Sequence, residues 1–66
     1  MNVIVFGENA GLIWNVLSDG SKKTTKELKK AAKLTDKDLY AALGWLAREN
    51  KIIIIEEDAD VLVQLV

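Results

Sequence analysis

The apolar residues change their spacing once along this chain, at Asn50, and that change limits the fold more than any other feature. Before it they recur at helical intervals. Ala10, Ile13, Trp14 and Leu17 form one stripe, Leu28, Ala31 and Ala32 a shorter second, and Leu39, Ala42, Leu43 and Leu46 a third. Residues three and four apart share a helix face, so these stripes predict three amphipathic helices that meet in one core. After Asn50, "KIIIIEEDADVLVQLV" holds two β-branched and apolar runs on either side of the acidic, turn-prone "EEDAD", which predicts a hairpin.

Local chemistry marks the boundaries. Thr24 followed by Glu27 is a capping box, in which hydroxyl and carboxylate satisfy orphan N–H groups of a first helical turn, and Thr35 followed by Asp38 is a shorter version. Helices are therefore expected to begin just after Thr24 and Thr35. Asp19-Gly20 is expected to end the first helix and Asn50 the third, since both offer a residue that tolerates a left-handed cap. A short strand at Ser21 to Lys23 is expected to pair beside the hairpin.

A chain of 66 residues holds one core at most, so the domain is read as 1–66, without linkers, repeats or low-complexity segments. With no Cys and no His, the thiolate nucleophile, the imidazole base and the usual zinc ligands are absent, and nothing resembles a phosphate loop or nucleophile elbow. An enzyme is not expected, nor a cofactor, a metal or a small-molecule substrate. The longest apolar runs, "VIVF" and "IIII", fall far short of the roughly 20 residues of a membrane helix. The opening "MNVIVFGENAG" lacks the charged and apolar regions of a secretory signal, and a cytoplasmic protein is expected.

The order helix, strand, helix, helix, strand, strand is the winged helix-turn-helix arrangement. The residues resemble a family of small bacterial winged helix-turn-helix domains of unassigned function, through "GENAGLIWNVL", "ELKKAAKL" and "DKDLYAALGWLARENKI". The most specific part is "LYAALGWLAREN" followed by "KI", because Gly inside a helix costs about 1 kcal/mol against Ala. The resemblance implies an α+β fold, with three helices packed on a small antiparallel sheet and a C-terminal wing. It also implies a DNA-binding, transcription-associated role. Such turns commonly carry Gly where this chain has Lys33, at a position that often needs positive φ.

Charge points in two directions. Nine basic and ten acidic residues leave the chain nearly neutral. The expected recognition helix sets Lys37 and Arg48 against Asp36, Asp38 and Glu49, and the wing sets Lys51 alone against Glu56, Glu57, Asp58 and Asp60. Phosphates would be repelled by the wing tip, whereas Asp36 and Asp38 suit their own helix N-terminus. Positive charge gathers at Lys22, Lys23, Lys26, Lys29, Lys30 and Lys33 around Glu27. Those lysines, with Lys37 and Arg48, are the nucleic-acid contacts expected if DNA is bound. The alternative is a solvated helix face in which Glu27 neutralises Lys30 or Lys23.

Two further features suggest a protein-interaction surface. Opposite the core stripe of the third helix, Ala41 and Gly44 are bordered by Tyr40 and Trp45, a shallow groove unless Trp45 folds over the core edge and Tyr40 covers the first helix. The hairpin also fails to alternate. Ile52 and Ile54 point one way and Ile53 and Ile55 the other, while Val61, Val63 and Leu65 oppose Leu62 and Val66. Leu12 and Val16, and Val3 to Phe6 ahead of the first helix, add to the surplus. Either "NVIVF" crosses the open face of the hairpin, or a second copy covers it through Ile53, Ile55, Leu62 and Val66. A homodimer is expected, and an interaction or dimerisation domain is the alternative to a DNA binder.

Overall fold

A computed structural model describes residues 3–66 of the chain. Its elements run α1 (Val3–Leu17), β1 (Lys23–Thr24), α2 (Thr25–Ala32), α3 (Asp36–Arg48), β2 (Ile52–Glu57) and β3 (Asp60–Leu65). The three strands form one antiparallel sheet in the order β1-β3-β2. This is the winged helix-turn-helix fold: α2 and α3 make the helix-turn-helix, and the β2–β3 hairpin makes the wing.

The helices begin where their caps require. Thr24 accepts from the Glu27 N–H at 3.1 Å, while the Glu27 carboxylate accepts from the Thr24 N–H at 2.9 Å, so both halves of the capping box are made. Thr35 accepts from the Asp38 N–H at 3.2 Å. Each helix of the pair ends on a left-handed residue that is not glycine. Lys33 has φ 56 and Asn50 φ 57. Behind them the chain folds back: the Leu34 N–H reaches the Lys29 carbonyl, and the Lys51 N–H reaches that of Leu46. Such wrapped ends satisfy carbonyls that a helix terminus would otherwise leave open.

The core joins Ala10, Ile13 and Leu17 of α1, Leu28 of α2, and Leu39, Ala42, Leu43 and Leu46 of α3 to Ile52 and Val63 of the sheet. The three stripes therefore do meet, but Trp14 and Ala31 leave theirs. Trp14, at the border of the α1 stripe, is 44% exposed. Ala31 is exposed on α2, where Leu28 is buried and Ala32 packs at the core's edge. Leu12 is exposed too, and Val16 packs against the core's edge.

Three further expectations need correction. Val3 to Phe6 form the first turns of α1, and Val3 and Ile4 are exposed, so this run does not cross the hairpin; Asn2 of "NVIVF" lies outside the described residues. The β-branched run reads as a strand in isolation, but Phe6 is in helical phase with Ala10, Ile13 and Leu17, and the longer period wins. The first strand is Lys23–Thr24 rather than Ser21 to Lys23, since Ser21 is held back by its N–H bond to the Asp19 carboxylate. The wing turn is only Asp58 and Ala59: Glu56, Glu57 and Asp60 belong to the strands, and Glu57 faces Asp60 across the ladder.

These backbone positions generate a paired prediction. Replacing Lys33 by Gly should raise stability by up to about 1 kcal/mol, because a β-carbon at φ 56 is strained. Replacing Gly44 by Ala, in the middle of α3 with open space where the new methyl would lie, should also stabilise by about 1 kcal/mol. Denaturant melts of both variants check this, and a lower midpoint for either contradicts the corresponding argument.

Candidate nucleic-acid interface

The side of α3 turned away from the core carries Lys37, Tyr40, Gly44 and Arg48, all exposed, with Ala41 half-buried beside them. These positions follow at helical spacing and make one continuous ridge. Tyr40 is 57% exposed and borders a groove with Thr25, Lys26, Lys29, Asp36 and Leu39. It therefore faces the α2 side instead of covering α1. Trp45 does fold over the core edge, so the two aromatics that flank the small residues behave differently.

Two carboxylates of the helix pair are engaged, while Asp38 of α3 and Glu49 at its end have no ion pair among the described residues. Asp36 pairs with Lys29 at 3.0 Å across the helix-turn-helix. Glu27 is taken up by its cap and neutralises neither Lys30 nor Lys23 by an ion pair. The Thr24 N–H first, and then its hydroxyl, hold the Glu27 carboxyl below the usual carboxylate range. Lys23 is bound instead to Asp19 at 3.0 Å. Of the expected contact residues, then, Lys23 and Lys29 already have anionic partners. Lys22, Lys26, Lys30, Lys33, Lys37 and Arg48 are exposed, with no ion pair among the described residues.

The wing presents the opposite sign. Glu56, Glu57, Asp58 and Asp60 are exposed at its end. By register, Ile53 and Gln64, and Ile55 and Leu62, form the outer face, with Val66 at its end opposite Lys51. Ile53 and Val66 are exposed, and Ile55 and Leu62 are half-buried. The opposite face includes the buried Ile52 and Val63.

One feature escapes sequence reasoning. Gly7, Ala10, Gly11, Trp14 and Asn15 of α1 line a cleft of about 290 Å³ with Trp45 and Leu46 of α3 and with Lys51. A β-carbon on Gly7 or Gly11 would meet nothing within 4 Å, so these glycines are not demanded by packing inside the chain. The only signal was the pair of glycines four apart followed by a tryptophan.

Asp19, in the turn between α1 and β1, carries a pH response. Its pKa is lowered to about 2, first by the Ser21 N–H, then by the Ser21 hydroxyl and the Lys23 ammonium. A depressed carboxylate pKa contributes stability that is complete above the ordinary value of 3.8 and is lost as the pH falls to about 2. Asp19→Asn should therefore melt below the native chain at neutral pH, and the gap should close on acidification. Thermal melts at pH 7 and pH 2 measure it, and a gap independent of pH would contradict the assignment.

The same architecture is found in a family model and in a solved structure. A family model described as "Winged helix-turn-helix domain (DUF2582)" matches residues 1–65. The uncharacterized protein MJ1608 of Methanocaldococcus jannaschii is 35% identical over 65 residues, which cover 89% of this chain and 87% of that protein. The solution NMR structure of protein BT2368 from Bacteroides thetaiotaomicron superposes with a TM-score of 0.87 at 31% identity, covering 98% of this chain and 79% of that one.

Proposed function

Since the chain belongs to this family of winged helix-turn-helix domains, we propose that it is a non-catalytic, DNA-associated module of transcription-type regulation in the cytoplasm, one that applies α3 and α2 to the duplex and keeps its wing off it. The observation that carries the reading is the exposed ridge Lys37, Tyr40, Gly44 and Arg48, which contains no carboxylate. Of the α3 carboxylates that flank it, Asp36 is paired with Lys29, and Asp38 and Glu49 have no ion pair among the described residues. In this fold the second helix of the pair enters the major groove. Gly44 lets the backbone come close, Tyr40 offers a hydroxyl, and Lys37 and Arg48 bracket them with positive charge. Lys26 and Lys30, on the preceding helix, lie ready for phosphates. Lysine serves backbone contacts better than base reading, so affinity rather than sequence preference should dominate.

A second reading has its own support: the outer face of the wing leaves Ile53 and Val66 exposed, as a protein-interaction domain would.

A salt titration of binding to duplex DNA separates the two. Under the DNA reading, affinity falls steeply with salt, Lys37→Glu with Arg48→Glu abolishes binding, and Lys26→Gln with Lys30→Gln lowers the log-log salt slope by about 1.8. Neutralising the wing by Glu57→Gln with Asp58→Asn should strengthen binding. No binding at low salt would leave the interaction domain.

A further inference from the structure

Strand β2 lies at the edge of the sheet, since β3 separates it from β1 and no strand among the described residues pairs with its other side. The Val66 N–H donates to the Lys51 carbonyl, which fixes the phase of the β2–β3 ladder. Hydrogen-bonded pairs alternate along an antiparallel ladder, so Ile53, Ile55 and Glu57 bond to β3, while the N–H and C=O groups of Ile52, Ile54 and Glu56 point out toward the open edge. Proteins usually blunt such an edge with Lys, Pro or a bulge. Here it begins with four isoleucines, holds neither Pro nor Lys, and runs in unbroken register.

Exposure along β2 distinguishes edge from face. Ile53 points outward and is 47% exposed, while Ile54 lies on the core side and is 48% exposed. A partner stacked on the outer face would cover the first and leave the second bare. A strand laid along the edge meets both.

We propose that two copies of this chain pair through β2, antiparallel, with Ile54 opposite Ile54 of the second copy, to form one continuous six-stranded sheet. Three features select this register. It matches every outward backbone group, because Ile52 then faces Glu56 of the second copy and the reverse. It places Ile53 beside Ile55 on the outer face. It sets Lys51 opposite Glu57 at both ends, turning the wing's only cation and one of its anions into two ion pairs. Slipping the strands one step toward Asn50, with Ile53 opposite Ile53, puts Glu56 against the left-handed Asn50 and Lys51 against Ile55. Slipping toward the tip, with Ile55 opposite Ile55, puts Ile52 against the left-handed Asp58 and Lys51 against Ala59. Both lose backbone bonds and the ion pairs.

This inference stands on β2 alone and is independent of DNA. Sedimentation of the full chain, without nucleic acid, is expected to show a monomer–dimer equilibrium. Ile54→Pro removes an outward N–H without touching the β2–β3 ladder and should give a folded monomer. Lys51→Glu should weaken the dimer about tenfold by setting like charges opposite, and adding Glu57→Lys should restore it. Leu62→Glu, on the central strand, should leave the edge dimer intact but would break a face-stacked one. Since the chain has no cysteine, Ile54→Cys should cross-link between copies, whereas Ile53→Cys should not, its copies being diagonal neighbours about 7–8 Å apart. A native chain that stays monomeric at about 1 mM, cross-linking at Ile53 in preference to Ile54, or failure of the charge exchange to restore association would each overturn the proposal.

Discussion

Val63 is the residue on which the rest of the structure depends. It is wholly buried in the central strand, with Lys23 of β1 on one side and Ile54 of β2 on the other. Among the described residues, Ile52 joins it from the sheet in the buried core, with Leu65 packed against that core. Burying such a side chain contributes about 1.5 to 3 kcal/mol, a large part of what a domain this size can accumulate. The wing is thus anchored near its base, and its outer half extends past the helices. That placement keeps Glu56, Glu57 and Asp60 in water, and it leaves Ile54 half-bare although it points to the core side.

Glycine takes the positive φ only after α1, at Gly20; from α2 onward the reversals among the described residues use other residues. Lys33, Asn50 and Asp58 take left-handed conformations at the three reversals that separate α2, α3, β2 and β3, while Gly7, Gly11 and Gly44 lie inside helices where nothing in the chain crowds them. This inverts the usual placement. Asn and Asp tolerate the left-handed region through local hydrogen bonding, but Lys33 has no such help, so the helix-turn-helix corner carries the strain. Open helix glycines keep helix surfaces low, and all three lie where an outside molecule could come close: two in the α1–α3 cleft, one on the α3 ridge.

Most of the fold was legible because its signals are local. Thr24 with Glu27, Thr35 with Asp38 and the stripe of α3 each lie within a few turns of chain, and the structure reproduces them, whereas only Leu28 and Ala32 of the α2 stripe turn to the core. What was misread depends on longer range. "VIVF" carries strand composition, yet its helical phase with Ala10 is set by residues a turn further on. The length of the wing strands follows from pairing with β3, which carries the ladder through Glu57 despite the like-charged Asp60 opposite. The α1–α3 cleft is assembled from residues more than thirty positions apart, such as Trp14 and Trp45, and no window of sequence contains it.

Charge was the property least legible, because it was summed over elements and acts over surfaces. Counted along α3, Asp36 cancels a cation; in space it is held by Lys29 of α2, and Lys37 and Arg48 stay exposed without an ion pair among the described residues. Counted within α2, Glu27 offsets a lysine; in space it accepts from the Thr24 N–H and leaves Lys30 to solvent. The wing's carboxylates, by contrast, gain no partner among the described residues. Exposed charges more than about 8 Å apart are largely screened at physiological ionic strength, so a ligand responds to the nearest surface and not to the net charge of the chain. A nearly neutral protein can therefore present a cationic helix pair to one partner and an acidic wing to another. Pairing β2 in the proposed register would draw Lys51 to Glu57 and lower the acidity of the wing without altering the ridge of α3.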